Sequence, residues 1–177
     1  MNQFAIITPV PDIINTFVQN SILKKIIERK VIQLKIVNLR DYGLGKHKQI
    51  DDAPFGGGGG MIFKPEPLFD AIDASFSWMV TKNNIRVIYP SPGGEKWDQR
   101  SAEKLSRNSN IILICGHYKG IDERVIDEYV TDQYSVGDFV LTSGEIPALL
   151  IMDSISRLIP GALNNLESVL NDSFSHQ

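Results

Sequence analysis

Apolar positions along this chain switch between helical spacing and short continuous runs, and the switching predicts helices interleaved with strands. The strands are predicted where apolar runs are bounded by turn residues. They lie at residues 4–8, 32–37, 85–89, 111–114 and 134–141, the last of them broken at Gly137. This alternation predicts an α/β fold with a mostly parallel sheet and helices on both faces.

The predicted helices carry apolar residues three and four positions apart. They lie at residues 13–18 with Asp12 as cap, 21–30, 65–79, 98–107, 122–128 and 144–158. The last helix has two candidate starts. Thr142 and Glu145 resemble a capping box, but that start puts Pro147 at the fifth helical position, where proline disrupts the helix. A start at Gly144 keeps Pro147 in the first turn, so we prefer it.

Residues 41–60 show no periodicity and end in five consecutive glycines, Gly56 to Gly60. The glycine run fails the tests for phosphate-binding loops. No Lys-Ser/Thr pair follows it, and Met61 stands where a dinucleotide fingerprint needs a small residue. Two interpretations stay open, a flexible linker and a packed loop beside a ligand. The apolar residues on either side of the run favour the packed loop.

Length and composition restrict the class of protein. The 177 residues are 42% hydrophobic, which suits one globular domain with a sizeable core. No apolar run approaches the ~20 residues of a membrane span, and the N-terminus lacks the features of a signal peptide. The single cysteine, Cys115, fits a reducing cytoplasm. One cysteine and three histidines argue against a structural zinc site.

Charge is distributed unevenly along the chain. The net charge is −3, but residues 1–50 carry +5 and residues 51–177 carry −8. The basic third could attract an anionic partner. A solvated helix face at residues 21–30 explains the same charges, and charge alone favours that explanation.

Turns rich in glycine, proline and serine follow three of the predicted strands, at residues 89–94, 115–120 and 135–143. In open parallel sheets, ligands bind at the carboxyl ends of the strands. Glycine also lets backbone groups approach a ligand more closely than a Cβ would allow. We therefore expect the three turns to converge on one crevice.

Five segments carry a resemblance that covers nearly the whole chain. They are DDAPFGGGGGM (51–61), YPSPGG (89–94), ICGHYKGIDERV (114–125), SVGDFVLTSGEIPALLIMDSISRLIPG (135–161) and NDSF (171–174). In this order they resemble the TrmD family of bacterial tRNA (guanine-N1)-methyltransferases, in the SPOUT class. The resemblance implies a deep trefoil knot, an exception to the usual absence of knots. It also implies that S-adenosylmethionine binds in that knot.

The resemblance implies a cofactor site on the three turns. The matching positions are Tyr89, Pro90, Ser91, Pro92, Gly116, Tyr118, Gly120, Ser135, Val136, Gly137, Leu141, Gly144 and Pro147. Their backbone groups could bind an adenine edge and ribose hydroxyls, with Val136 and Leu141 against the ring.

The family transfers a methyl group to N1 of a guanine next to the tRNA anticodon. By similarity, Asp172 is the base that removes the N1 proton, and Arg157 stabilises the negative charge that develops on O6. The alternatives are a solvated tail acid for Asp172 and, for Arg157, a side chain that binds the last carbonyls of its helix. The family's site forms between two subunits, which implies a homodimer with apolar surface on the knot-side helices.

Three residues near the second turn have alternative interpretations. Cys115 suits a small buried residue better than a nucleophile, because methyl transfer to a ring nitrogen needs no covalent intermediate. His117 could line the crevice or bind a backbone group. Arg124 could lie near the cofactor or pair with Asp122 or Asp127.

Two positions depart from the family pattern. Lys119 stands where a glutamate often occurs, which leaves dependence on Mg²⁺ open, and we predict no metal-ligand residues. Ser143 replaces a glycine. The family also continues into a helical domain that binds tRNA. We therefore expect residues 1–161 to form the cofactor-binding methyltransferase domain, and residues 162–177 a flexible tail or the start of a linker.

Two functions from different classes follow from these expectations. The first is methyl transfer to tRNA, with this chain as a cropped piece or a short natural form of low tRNA affinity. The second is a non-catalytic cofactor-binding or dimerisation module of the same fold. A nucleotide- or flavin-binding domain is a distant third, since both phosphate fingerprints are missing.

Overall fold

Five parallel strands form the central sheet. The computed structural model describes residues 2–54, 57, 59–81, 84–107 and 110–163. The strands lie in the order β2-β1-β6-β5-β7, and each neighbouring pair is parallel. Their bounds are β1 (Asn2–Thr8), β2 (Ile32–Asn38), β5 (Ile85–Lys96), β6 (Asn110–Ile114) and β7 (Asp132–Ser135). A short antiparallel pair joins β3 (Asp51–Asp52) and β4 (Ile62–Phe63).

Helices pack on both faces of the sheet. They are α1 (Pro11–Val18), α2 (Ser21–Glu28), α3 (Pro65–Trp78), α4 (Gln99–Ser106), α5 (Glu123–Tyr129) and α6 (Glu145–Ser156), with a 3₁₀ helix at Leu39–Tyr42. The alternation of side chains along β1 separates the two cores. Phe4 and Ile6 pack with α1, α2, α4 and α6, whereas Ala5 and Ile7 pack with α3 and α5. The α/β fold with a mostly parallel sheet is therefore confirmed, and the knot remains an implication of the family resemblance.

The strand predicted at 134–141 is wrong in its bounds. Strand β7 ends at Ser135, and the chain then leaves the sheet. Gly137 has a φ of +150°, and the Ser135 hydroxyl donates to its carbonyl at 3.1 Å. This local turn takes the apolar residues 139–141 away from the sheet edge, so their run did not indicate a strand.

Strand β5 is longer than predicted. The sharp turn expected after Tyr89 is an irregular stretch within the strand, which continues to Lys96. Pro90 and Glu95 both lie opposite Tyr134 of β7, so the residues between them bulge out of the ladder. Prolines have no N–H to donate, which explains why regular pairing stops in this stretch.

Prolines in the first turn mark where α1 and α6 begin. Helix α1 begins at Pro11, one residue before the predicted cap Asp12, because proline is favoured in the first turn. Helix α6 has Gly144 as its N-cap and makes no side-chain cap hydrogen bond. The preferred start at Gly144 is confirmed, and Pro147 lies in the first turn.

The segment after the glycine run packs beside the turn that follows β6. Lys119 N–H donates to the Met61 carbonyl at 3.0 Å, and Phe63 N–H donates to the Gly120 carbonyl at 3.1 Å. These bonds anchor the apolar segment 61–63 that follows the predicted loop, and this anchoring favours the packed-loop interpretation. Residues 55, 56 and 58 lie outside the described residues.

Among the described residues, packing into the core continues slightly past the predicted domain boundary at residue 161. Ala162 is fully buried in the core that contains α6. The predicted tail lies almost wholly outside the described residues, since these end at 163. Among the helices of the described ranges, none is long and apolar enough to cross a membrane.

Candidate functional site

A crevice of about 320 Å³ opens at the carboxyl ends of β6 and β7 and beside the irregular stretch within β5. The three turns rich in glycine, proline and serine converge there, as the strand-end argument predicted. The crevice is lined by all thirteen positions named for the cofactor: Tyr89, Pro90, Ser91, Pro92, Gly116, Tyr118, Gly120, Ser135, Val136, Gly137, Leu141, Gly144 and Pro147. That these residues bind a cofactor stays a prediction.

Two backbones touch in one wall of the crevice. Gly144 N–H donates to the Gly116 carbonyl at 2.8 Å, and His117 and Ser143 form an antiparallel bridge beside this bond. A Cβ on Gly144 would lie 2.6 Å from the Gly116 nitrogen and 2.8 Å from the Cys115 Cα. Only glycine therefore permits the two loops to approach this closely.

The ring of Tyr89 lies under the turn that follows β6. A Cβ on Gly116 would come within 2.8 Å of this ring, and one on Gly120 within 3.0 Å of its hydroxyl oxygen. Gly120 also has a φ of +116°, which disfavours any other residue. Burial raises the pKa of the Tyr89 phenol, so it is neutral at pH 7.

Apolar side chains at the mouth of the crevice include two that sequence analysis missed. Phe139 is 56% exposed and Val140 is 85% exposed, beside Tyr118 and Leu141. The apolar run that contains them was predicted as the last part of a strand broken at Gly137. The glycine two residues before Phe139 was the signal that the run lies in a loop.

A fully buried carboxylate, Glu145, lies beside this crevice. Its Oε1 accepts a hydrogen bond from the Thr8 hydroxyl at 2.6 Å, and both of its oxygens lie within 2.9 Å of His117 Nε2. Burial raises the pKa of Glu145, but hydrogen bonds from His117, Thr8 and Ser143 outweigh burial and bring the pKa below its ordinary value of 4.5. Sequence analysis considered Glu145 only as a member of a capping box. Its place at the start of an otherwise apolar helix was a signal that its carboxylate could be buried.

The lowered pKa of Glu145 predicts an acid-sensitive fold. The ionised carboxylate stabilises the protein fully above its unfolded pKa, and this contribution is lost as pH falls through the lower folded pKa. Glu145→Gln should lower the free energy of unfolding by about 2 kcal/mol at pH 7, because hydrogen bonds to a charged group are lost. The variant should also lose less stability than the parent on acidification. Urea unfolding between pH about 3 and 7 measures both effects, because the loss of stability occurs below the unfolded pKa of 4.5.

The matched control is Glu28→Gln, which changes an exposed carboxylate whose side chain is 62% accessible. Its pairing with Lys24 spans 3.9 Å, so its loss should change stability by less than about 0.5 kcal/mol. Equal effects of the two substitutions would refute a special role for Glu145 in acid stability.

Comparison with known proteins decides the family. The family described as tRNA (Guanine-1)-methyltransferase TrmD matches residues 2–177. The chain belongs to this family. It is 48% identical to the tRNA (guanine-N(1)-)-methyltransferase of Clostridioides difficile (strain 630), over 97% of this chain and 74% of that protein. It is 45% identical to the protein of that name from Chlorobaculum tepidum, again over 97% of this chain and 74% of that protein.

A solved structure of a TrmD-family protein has the same fold. It is the tRNA (m1G37) methyltransferase from Aquifex aeolicus, with a TM-score of 0.83 and 36% sequence identity. The match covers 93% of this chain and 72% of that one. The family resemblance stated from five sequence segments is thus confirmed.

The TrmD family implies two catalytic residues, and of these the structure describes only Arg157. Asp172 lies outside the described residues. Arg157 follows the last residue of α6 and is not among the described residues that line the crevice. Helix α6 begins at the crevice and has 12 residues, so its far end lies about 18 Å along its axis.

Burial raises the pKa of Asp153, and the nearby charge of Arg157 offsets only part of this effect.

Arg124 and Cys115 have structural roles here. Arg124 forms a bidentate pair with Asp122, with Nε–Oδ1 at 2.8 Å and Nη2–Oδ2 at 2.9 Å, which confirms one of its two interpretations. Cys115 is 1% exposed, and burial together with the charge of Glu145 raises the pKa of its thiol well above 9.0. A thiol in this state is a poor nucleophile, as expected.

Metal ligands do not gather in the part of the chain that is described. No group of three or more His, Cys, Asp and Glu side chains there could hold an ion. Lys119, which departs from the TrmD pattern, lines the crevice. Dependence on Mg²⁺ therefore stays open.

An apolar groove runs between α1 and α6. Its walls include Ile13 (41% exposed), Phe17 (46%), Ile146 (59%) and Leu150 (44%). Asp12 and Asp153 lie at its edges. Large exposed apolar side chains grouped in this way are typical of a protein–protein interface.

Proposed function

We propose that this chain transfers a methyl group from S-adenosylmethionine to N1 of a guanine next to the anticodon of tRNA. The observation that carries the proposal is the convergence of all thirteen family-implied positions on one crevice. The relatives named tRNA (guanine-N(1)-)-methyltransferase support the reaction and its substrate class. A tRNA substrate and a reduced Cys115 suit a cytoplasmic protein.

The crevice has the properties that this cofactor requires. Its volume of about 320 Å³ falls within the range of small-molecule sites. Because Gly116, Gly120 and Gly137 have no side chains of their own, a ligand in the crevice can approach the backbone of these turns closely. Val136 and Leu141 offer apolar contacts for an adenine ring. When bound, the cofactor supplies an electrophilic methyl group on its sulfonium sulfur.

The chain's own residues would control the guanine. N1 carries a proton, so nucleophilic attack through N1 requires a base to remove it, and we assign this role to Asp172. Negative charge then develops toward O6, and we assign its stabilisation to Arg157. An arginine suits this role because its charge persists at every pH in use.

We further propose a homodimer in which each crevice is completed by the partner subunit. Within one chain, Arg157 lies at the opposite end of α6 from the crevice. Two-fold packing through the apolar groove between α1 and α6 would let a second copy supply the arginine. Burial of Ile13, Phe17, Ile146 and Leu150 would provide the hydrophobic stabilisation.

The dimer proposal predicts that a charged residue introduced into the apolar groove will lower the mass of the protein in solution. Leu150→Glu should convert the dimer into monomers, because two copies of the new carboxylate would be buried at the interface. The control Val80→Glu changes an apolar side chain that is 82% exposed and lies outside the groove. Sedimentation equilibrium measures the mass of each variant. A monomeric parent, or a dimeric Leu150→Glu variant, would contradict the proposal.

Methyl transfer itself is tested with tRNA transcripts. The complete protein and labelled cofactor should yield N1-methylguanosine in a nucleoside digest of a transcript with guanine after the anticodon. A transcript with adenine at that position should yield no labelled nucleoside. Cofactor binding without any transfer would contradict the proposed function and favour a non-catalytic binding module.

A further inference from the structure

Thr8, Glu145 and His117 form a hydrogen-bonded network beside the crevice, and the proposed chemistry gives it no role. We infer that this network positions the two loops that form the crevice wall and so sets the affinity for the cofactor. The inference rests on the proposed function, because it names S-adenosylmethionine as the ligand of the same site.

The network joins three segments that are distant in sequence. Thr8 ends β1, His117 lies in the turn after β6, and Glu145 is the first residue of α6. The Thr8 hydroxyl donates to Glu145 Oε1 at 2.6 Å, and His117 Nε2 lies 2.8 Å from the same oxygen. The Thr8 hydroxyl oxygen also accepts from Val10 N–H at 2.9 Å. Each segment is therefore held relative to the other two through one carboxylate.

The network lies where the crevice wall closes. Glu145 follows Gly144, whose N–H donates to Gly116, and His117 follows Gly116. A displacement of the Glu145 carboxylate would therefore move both residues of the backbone contact. Glycines at 116 and 144 leave this contact without side chains of its own, so neighbouring side chains add to the orientation that the backbone bridge between His117 and Ser143 provides.

His117 connects the buried Glu145 carboxylate to the crevice surface by direct contact. Of Thr8, Glu145 and His117, only His117 lines the crevice, together with Ser143, which also hydrogen-bonds Glu145; Thr8 and Glu145 are fully buried. Its ring stacks on Phe63 with centroids 5.8 Å apart and 26° between the planes. The Phe63 N–H donates to the Gly120 carbonyl, in the same turn as His117. The His117 ring is therefore held between the Glu145 carboxylate and Phe63.

A role in folding alone would leave cofactor affinity unchanged in the folded protein. Thr8 is suited to separate the two roles because it does not line the crevice, and its hydroxyl donates to the Glu145 carboxylate beside the crevice. Thr8→Val removes the hydroxyl with little change of shape, whereas Thr8→Ser keeps it. Ile26→Val is the control for lost stability, since Ile26 is a fully buried residue of α2 outside the crevice lining.

Calorimetric titration with S-adenosylhomocysteine tests the inference. Thr8→Val should raise Kd by about tenfold, because a hydrogen bond to a charged group contributes at least that factor. Thr8→Ser should bind within about twofold of the parent, as should Ile26→Val. In a Glu145→Gln background, Thr8→Val should change Kd little, since the shared carboxylate is already gone.

The outcomes separate this inference from the proposed function. If the parent does not bind the ligand, the proposed function fails. If the parent binds and Thr8→Val binds equally well, the inference is overturned while the function stands. An equal loss in Ile26→Val would also overturn it, because lost stability would then explain the effect. Should Thr8→Val not fold, unchanged affinity in Glu145→Gln overturns the inference and a weakened affinity supports it.

Discussion

Asp172→Ala is expected to lower the rate of methyl transfer to tRNA by about 10² to 10⁴-fold, the usual contribution of a general base. The guanine N1 proton would then have no positioned acceptor. The Kd for S-adenosylhomocysteine should change by less than about twofold, because the assigned role concerns the guanine. Single-turnover kinetics with the complete protein and saturating tRNA measures the rate.

The control for Asp172 is a second acid of the same tail, Glu167→Ala. It tests the competing interpretation that tail acids are merely solvated charges. Equal rates for parent and Asp172→Ala would remove Asp172 from the mechanism. A parallel Arg157→Ala variant should lose about 10² to 10³-fold, and Arg157→Lys should recover part of this because the positive charge returns.

Gly144→Ala is expected to weaken cofactor binding by about tenfold to a hundredfold. The new Cβ would lie 2.6 Å from the Gly116 nitrogen, so the two loops must separate. Overpacking of this kind costs about 1–3 kcal/mol, and here the strain falls on the crevice wall itself. Calorimetric titration with S-adenosylhomocysteine measures the loss.

The control for Gly144 is Gly93→Ala on the irregular part of β5. Among the described residues, no atom other than its chain neighbours lies within 4 Å of a Cβ built there. This variant should bind like the parent. If Gly144→Ala also binds like the parent, the crevice is either more adaptable than its contacts indicate or not the cofactor site.

The parts of the fold that were predictable depend on local chemistry. Apolar runs such as 111–114 gave the buried strands, and Pro147 decided between two starts for α6 by a steric rule within one turn. The convergence of three turns also followed, because parallel strands bring their carboxyl ends to one edge. The thirteen predicted cofactor-binding positions were named from the family resemblance, because the spacing of residues alone does not identify a ligand.

The parts that were missed depend on long-range contacts. The network of Glu145 requires Thr8, which is 137 residues away, so no local pattern could indicate it. Residues 139–141 resembled a strand because apolar runs look alike in loops and in sheets. The distance between Arg157 and the crevice becomes visible only once α6 is placed against the turns, and this distance is what favours a shared site.

The most direct test of the central claim is a crystal structure of this chain with S-adenosylhomocysteine. The ligand should lie in the crevice formed by the carboxyl ends of β6 and β7 and the irregular stretch within β5. It should receive hydrogen bonds from backbone groups of the 115–120 and 135–143 turns, with Val136 and Leu141 against its adenine. Ligand density at any other place, with this crevice empty at saturating concentration, would contradict the assignment of the cofactor site.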